Sequence, residues 1–241
     1  MQENTFVLLE NTPFTDSIYR MRLQGAEDIP MLPGQFVNLK IPGVFLRRPI
    51  SVCDWEGGVL TLIYRVVGEG TRIMADMKTG QEVDLLTGLG NGYDLSLAGE
   101  RPLLVGGGVG IPPLYFLAKG LRKLGLPVSL VVGFRNRRDV FMDAFSPLGC
   151  DVTLVTEDGS MGEKGLVIDH LPKHATHLFA CGPEPMLRAL SAVCPLDGQY
   201  SLEARMGCGF GACMGCTMET LSGPKRICRE GPVLRKGDLP W

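Results

Sequence analysis

The sequence contains no run of apolar residues approaching the about 18 that a membrane-spanning helix requires. The N-terminus, Met1-Gln2-Glu3-Asn4-Thr5-Phe6, has no basic stretch leading into an apolar one. No targeting signal is read there, and a cytoplasmic location is expected. An excess of either charge is missing too. The net charge of −2 gives no support to a nucleic-acid or anionic-membrane surface. Histidine is scarce, at three residues. Pro172 breaks any helix that would align His170 with His174, and His177 opens an apolar strand, so no histidine metal site is expected. Internal repeats and low-complexity linkers are also absent. Eight cysteines in 241 residues are too sparse for a disulfide scaffold. Without a secretion signal they read as reduced thiols and ligands.

Glycine is what the chain has in plenty, at 32 residues. Apolar runs alternate with the glycines, which indicates tight turns and ligand-approaching loops rather than disorder. The length suits two ordinary domains and a short appendage. Over residues 5–97 short apolar runs recur, at 6–9, 18–23, 35–41, 50–53 and 59–67, separated by Gly, Pro, Asn and Asp. They predict strands, with a hairpin at Gly57-Gly58 and one helix over 70–78, opened by Thr71 and closed by Gly80. Many short strands predict a small antiparallel β-barrel over 1–98. From Arg101 onward strands at 102–105, 128–132, 152–156 and 177–180 alternate with helices expected over 112–124, 140–145 and 184–193. This predicts an α/β parallel-sheet nucleotide-binding domain over 99–196. The remainder, 197–241, is short and rich in Cys and Gly. It is expected to lack a hydrophobic core and to be organised by a metal centre.

Within that last segment Cys208, Cys213, Cys216 and Cys228 spell C-x4-C-x2-C-x11-C. This is the spacing of a plant-type [2Fe–2S] cluster held by four thiolates. The interleaved glycines allow positive φ and close approach of N–H groups to sulfur. Four cysteines also suit a zinc staple on a nucleotide-binding module with no redox role, but spacing and glycine density favour iron. Cys53, Cys150 and Cys194 stand in apolar contexts and read as core residues.

Four further stretches carry candidate binding residues. Val105-Gly106-Gly107-Gly108-Val109-Gly110-Ile111-Pro112-Pro113 follows an apolar strand and opens a helix, where glycines and free N–H groups suit a pyrophosphate. Ala180-Cys181-Gly182-Pro183 ends another strand at the same edge of a parallel sheet. Its thiol reads equally as an inert buried one. Arg47-Arg48-Pro49-Ile50-Ser51 could fork onto a phosphate, and Arg65-Val66-Val67-Gly68-Glu69-Gly70-Thr71 joins a strand end to a helix N-terminus. Alone, these arginines also fit a solvated face.

In order and spacing, the Arg48–Ser51 stretch, the 106–113 motif and Cys181-Gly182-Pro183 resemble ferredoxin–NADP reductase-like flavoproteins. With the cysteine loop added, residues 5–235 resemble the electron-transfer subunits of B-type dihydroorotate dehydrogenases. The resemblance implies FAD held by Arg48, Pro49, Ile50 and Ser51, with Arg65, Val66 and Val67 along the flavin edge and Gly70 and Thr71 at the pyrophosphate. It implies NAD at Gly106, Gly107, Gly108 and Gly110, Cys181 and Gly182 near the nicotinamide, and a [2Fe–2S] cluster on Cys208, Cys213, Cys216 and Cys228. The sequence departs from the wider family at Ile50, often Tyr, and at Gly108, often Thr. The chain also runs on past the usual aromatic end, so Trp241 is given no flavin-covering role.

NAD exchanges hydride and a [2Fe–2S] centre exchanges single electrons. A flavin does both and belongs between them. The resemblance therefore implies electron transfer from the FMN of a dihydroorotate dehydrogenase catalytic subunit through the cluster and FAD to NAD+, in pyrimidine biosynthesis. The expected assembly is a heterotetramer of two copies of each subunit. A reductase serving a ferredoxin or other redox partner is the alternative. No catalytic side chain is assigned, because hydride transfer needs no general acid or base. Arg205, Lys225, Arg226 and Arg229 lie near the ligands, where cations favour cluster reduction, or else meet solvent or the partner. The Gly133–Arg138 stretch leaves NAD against NADP open.

Overall fold

The computed structural model describes residues 1–142 and 148–241. The N-terminal barrel is built from β1 (Gln2–Pro13), β2 (Ile18–Gln24), β3 (Phe36–Leu39), β4 (Arg48–Glu56), β5 (Val59–Arg65) and β6 (Glu82–Leu89). They close in the order β1-β2-β5-β4-β3-β6, every pair antiparallel. Phe6, Leu8, Met21, Leu23, Leu60, Leu62, Val83 and Leu85 fill the interior, as period-two alternation requires. Gly57 and Gly58 both take positive φ in the β4–β5 hairpin, where Glu56 faces Val59. The closing strand, β6, is missing from the strands read in the sequence. Its alternation of Val83, Leu85, Thr87 and Leu89 is legible, but only pairing with both β1 and β3 gives it its place. Helix α1 (Glu69–Asp76) begins ahead of the expected start. Thr71 is its third residue and caps it from within, its hydroxyl accepting the N–H of Val67 at 2.9 Å and of Gly68 at 3.1 Å.

The second unit carries β7 (Pro102–Gly107), α2 (Pro112–Lys123), β8 (Ser129–Phe134), β9 (Asp151–Thr156), β10 (Glu163–Lys164), β11 (His177–Cys181), α3 (Glu184–Val193) and β12 (Gly198–Ser201). The helix expected over 140–145 runs into residues outside the described ones. The chain then forms a small ribbon, β13 (Thr217–Met218) with β14 (Lys225–Arg226), and ends in β15 (Val233–Arg235). The sheet has seven strands in the order β10-β9-β8-β7-β11-β12-β15. All pairs are parallel except β12 with β15. β7 and β11 are buried at every position, as central strands covered on both faces must be. Among the described residues no helix is long and apolar enough to cross a membrane.

The sheet corrects two expectations about the C-terminal segment. The division at 196/197 cuts it, because β12 pairs with β11 and belongs to the nucleotide-binding unit. Nor is the segment organised by a metal centre alone. Cys216, Ile227, Cys228, Leu234 and Leu239 are buried in one cluster with Leu103, Val105, Leu178 and Ala180 of the sheet and Phe36 and Leu89 of the barrel. A few scattered apolar side chains suffice when an existing apolar face receives them.

The barrel and sheet share a second core, in which Ile18, Cys53 and Ile63 meet α2 residues Leu114, Leu117 and Leu121. Lys119 of α2 crosses this junction. Its ammonium bonds both Asp54 oxygens at 2.8 Å and Glu56 at 3.0 Å. Burial alone would pull Lys119 down, but these bonds outweigh it and raise the ammonium. The same bond holds Glu56 below the usual carboxylate range. At the β7–α2 connection, a Cβ on Gly110 would lie 2.5 Å from the Cys181 carbonyl and the Gly182 nitrogen. Only glycine lets this turn reach β11.

Lys119→Met is expected to destabilise the protein by about 1–3 kcal/mol at neutral pH, measured by urea denaturation, because the half-buried Asp54 loses its cation. The contribution is present while Glu56 is ionised and Lys119 charged. The gap to wild type should therefore shrink as pH falls through the lowered pKa of Glu56. Gly110→Ala is expected to cost about 1–3 kcal/mol, since backbone lies on the clashing side. Gly68→Ala, with open space at its Cβ, should cost less in the same assay.

Candidate functional site

The cysteine loop folds on its own backbone. The Cys208 thiol accepts N–H groups from Ala212 at 3.3 Å and Cys213 at 3.4 Å, and the Cys208 N–H points at the Cys213 sulfur at 3.5 Å. The Cys228 N–H likewise meets the Cys216 sulfur at 3.4 Å. The thiols thus fall into two pairs, Cys208 with Cys213 at the surface and Cys216 with Cys228 in the interior. Among the described residues no three His, Cys, Asp or Glu gather tightly enough to hold a single ion. Two pairs would offer a two-iron centre two thiolates at each iron. Burial pushes the Cys208 thiol up, but the N–H groups of Cys213, Phe210 and Ala212 outweigh it and hold it near 6. This environment already favours thiolate. Burial pushes Cys228 the other way, to about 12.

Glycine serves the loop where a side chain could not. Gly209 and Gly211 take φ of 78° and 92°. A Cβ on Gly209 would sit 2.5 Å from Asn38 Nδ2, and one on Gly211 would sit 2.7 Å from Arg229. Of the four nearby bases, Arg226 bonds the Gly211 carbonyl at 2.7 Å and pairs with Glu230, while Lys225 pairs with Asp238 at 3.1 Å. Arg205 and Arg229 are exposed.

The Arg48–Ser51 stretch opens β4 and is half-exposed. Its register against β3 pairs Arg48 with Leu39, Pro49 with Asn38, Ile50 with Val37 and Ser51 with Phe36. Arg48 donates to the Leu46 carbonyl at 2.6 Å, and its guanidinium lies where a Cβ on Gly70 would be. The arginine therefore meets the start of α1, whose first N–H groups have no partner within the helix. Arg65, at the end of β5, has its Nε buried without a partner. An unpaired donor, a glycine cradle and a helix N-terminus together suit a phosphorylated flavin.

A cleft of about 460 Å³ opens at the C-terminal ends of the parallel strands. Gly107, Gly108, Gly110 and Gly182 line it, and Arg65 reaches it from the barrel. Gly106 does not line it, since Ile111 and Leu114 pack where its Cβ would be. Cys181 also stays out of the lining. Burial pushes its thiol up to about 12, which makes it a packed thiol beside the cleft. Arg135, Asp139 and Glu157 are also in the lining, whereas Arg137 and Arg138 are not. Sequence reading missed Glu203. It follows β12, lines the cleft, and has its carboxyl raised by burial. Only its position directly after the last parallel strand could have flagged it.

The chain has close relatives. Residues 203–239 match the iron–sulfur cluster binding domain of dihydroorotate dehydrogenase B. A Geobacillus sp. (strain WCH70) protein named dihydroorotate dehydrogenase B (NAD(+)), electron transfer subunit, is 41% identical over 99% of each chain. One of the same name from Bacillus caldolyticus is 45% identical over 86% of each. A solved structure of an NADH-dependent reduced ferredoxin–NADP oxidoreductase superposes with a TM-score of 0.88 at 26% identity, covering 98% of this chain and 90% of that one. With paired cysteines, a barrel and a nucleotide cleft in one chain, and this identity over nearly its whole length, the chain belongs to the family of dihydroorotate dehydrogenase B electron transfer subunits.

Proposed function

We propose that this chain carries electrons between NAD(H) and an FMN-containing dihydroorotate dehydrogenase subunit, through FAD and a [2Fe–2S] cluster, in pyrimidine biosynthesis. One observation carries the reading: the barrel order β5-β4-β3. Arg65 of β5 lines the glycine cleft, β4 holds the Arg48–Ser51 motif, and Asn38 of β3 bonds the Cys208 carbonyl at 3.1 Å. Three adjacent strands thus run from the nucleotide cleft to the cysteine loop, with the flavin motif in the middle.

Cys208 and Cys213 would hold one iron, and Cys216 and Cys228 the other. Arg48 and Ser51 would take the phosphate or ribityl side of FAD, Pro49 and Ile50 its ring, and Arg65, Val66 and Val67 its edge. Gly70 and Thr71 would offer N–H groups at the start of α1 to the pyrophosphate. NAD would lie along Gly107, Gly108 and Gly110, with Gly106 packed beneath and Cys181 and Gly182 near the nicotinamide. When bound, FAD supplies both hydride and single-electron chemistry, which no side chain here can. The chain's own work is to bind, orient and exclude water. The Cys181 thiol stays protonated at neutral pH, so it shapes the site rather than reacting. Asp139 and Glu157 beside Arg135 offer acceptors to ribose hydroxyls and repel a 2′-phosphate, which supports NAD over NADP.

Phe210 and Met214 leave apolar side chains exposed on the cysteine loop, 40% and 57% accessible, which supports this rim as the docking surface for the partner. The assembly would contain two copies of each subunit, in the cytoplasm. The likeness to a reduced ferredoxin–NADP oxidoreductase favours a second reading, with a ferredoxin-linked partner. Co-purification separates the two, because the first requires a stable complex with an FMN-containing dehydrogenase.

In an anaerobic visible spectrum, NADH is expected to bleach the flavin and then remove part of the iron–sulfur absorbance. A colourless protein holding zinc and no iron would overturn the reading. Cys208→Ser should abolish electron transfer to the partner while NADH still bleaches the flavin, measured by stopped-flow absorbance.

A further inference from the structure

Asn38 is a buried polar side chain with no ligand-holding role among those assigned above. It is 1% exposed, in the middle of β3 between the buried Val37 and Leu39. Its cross-strand neighbours are Pro49 of the flavin motif and Leu86 of β6. An amide at such a place is unfavourable unless it is bonded, and an aliphatic side chain would suit the barrel better. Nδ2 donates to the Cys208 carbonyl, and the carboxamide packs on Gly209, which takes the left-handed φ that glycine accommodates. Oδ1 is buried without a partner, so nothing in the barrel accounts for the amide. Arg226 and Thr217 also bond loop carbonyls, at Gly211 and Met214, but both belong to the C-terminal segment and fix nothing relative to the barrel.

We propose that Asn38 is a positioning residue for single-electron passage between flavin and cluster, tethering the first cysteine ligand to the strand beside the flavin motif. The inference rests on the function proposed above for the identity of the two groups. It assigns the tether to this chain's own backbone contact. Losing the bond would let the Cys208 end of the loop move relative to β4, while the glycine cleft and Arg65 would be left as they are.

The test uses the full-length chain carrying flavin and cluster. Asn38→Asp keeps the side-chain shape but sets a carboxylate against the Cys208 carbonyl. Gly209→Ala disturbs the same contact from the loop, with the barrel sequence intact, should the first variant fail to fold. In anaerobic stopped flow with NADH, flavin bleaching is expected at the wild-type rate. Loss of iron–sulfur absorbance should slow by roughly 10-fold or more, the usual scale for losing a partner that orients a metal ligand. The electron paramagnetic resonance signal of the reduced cluster should shift, and amide exchange at 208–213 should quicken. Variants that match wild type in cluster reduction, resonance signal and exchange would overturn the role of Asn38 alone. A wild-type chain that purifies without iron would overturn it together with the proposed function.

Discussion

Everything at the C-terminus depends on one backbone pairing, that of β15 with β12. The chain leaves the sheet at Ser201 and returns antiparallel beside it, with Ser201 facing Val233 and the Leu202 N–H bonded to the Pro232 carbonyl at 2.9 Å. The long excursion between them is closed at its base, so much of the entropy of ordering the cysteines is met by main-chain bonds and burial rather than by a metal. The connection leaving β6 clamps that base. Asn91 bonds the Val233 carbonyl at 2.7 Å and accepts its N–H at 2.9 Å, and Gln199 exchanges two bonds with the Asp94 backbone. Barrel, sheet and cysteine segment meet there as one packed body.

That arrangement separates two kinds of chemistry in space while keeping them within one barrel wall. The glycine cleft lies over the sheet's C-terminal edge, where N–H groups and close backbone approach suit a nucleotide. The cysteine loop lies against β3, where N–H groups point at sulfur. Between them β4 presents the arginine, proline and hydroxyl of its motif. On the function proposed above, the path between the redox groups would follow from strand order rather than from a catalytic side chain.

The motifs were legible because each is a local device. Glycines after an apolar strand, prolines at a helix start and the C-x4-C-x2-C spacing all act through residues a few positions apart. Most strands were legible for the same reason. β6 was not read, because a strand's membership in a barrel is settled by its two neighbours. Glu203 and Asn38 were invisible as site residues, since one matters by lining a cleft and the other by a bond reaching 170 residues along the chain. Gly106 and Cys181 show the converse. Their motif positions were plain, but packing decided that one supports α2 and the other is a buried thiol beside the cleft.

By itself, then, the sequence determined the C-x4-C-x2-C-x11-C spacing, the glycine turns, the order of barrel before nucleotide unit before cysteine loop, and the family. These are consequences of spacing and chirality along the backbone. Tertiary structure alone decided that the four cysteines divide into two pairs, that β12 and β15 knit the C-terminal segment into the sheet, and that Asn38 joins the loop to β3, beside the strand that carries the Arg48–Ser51 motif. Those facts depend on which apolar faces find each other, and a chain folds distant faces together by burial, which no local pattern encodes.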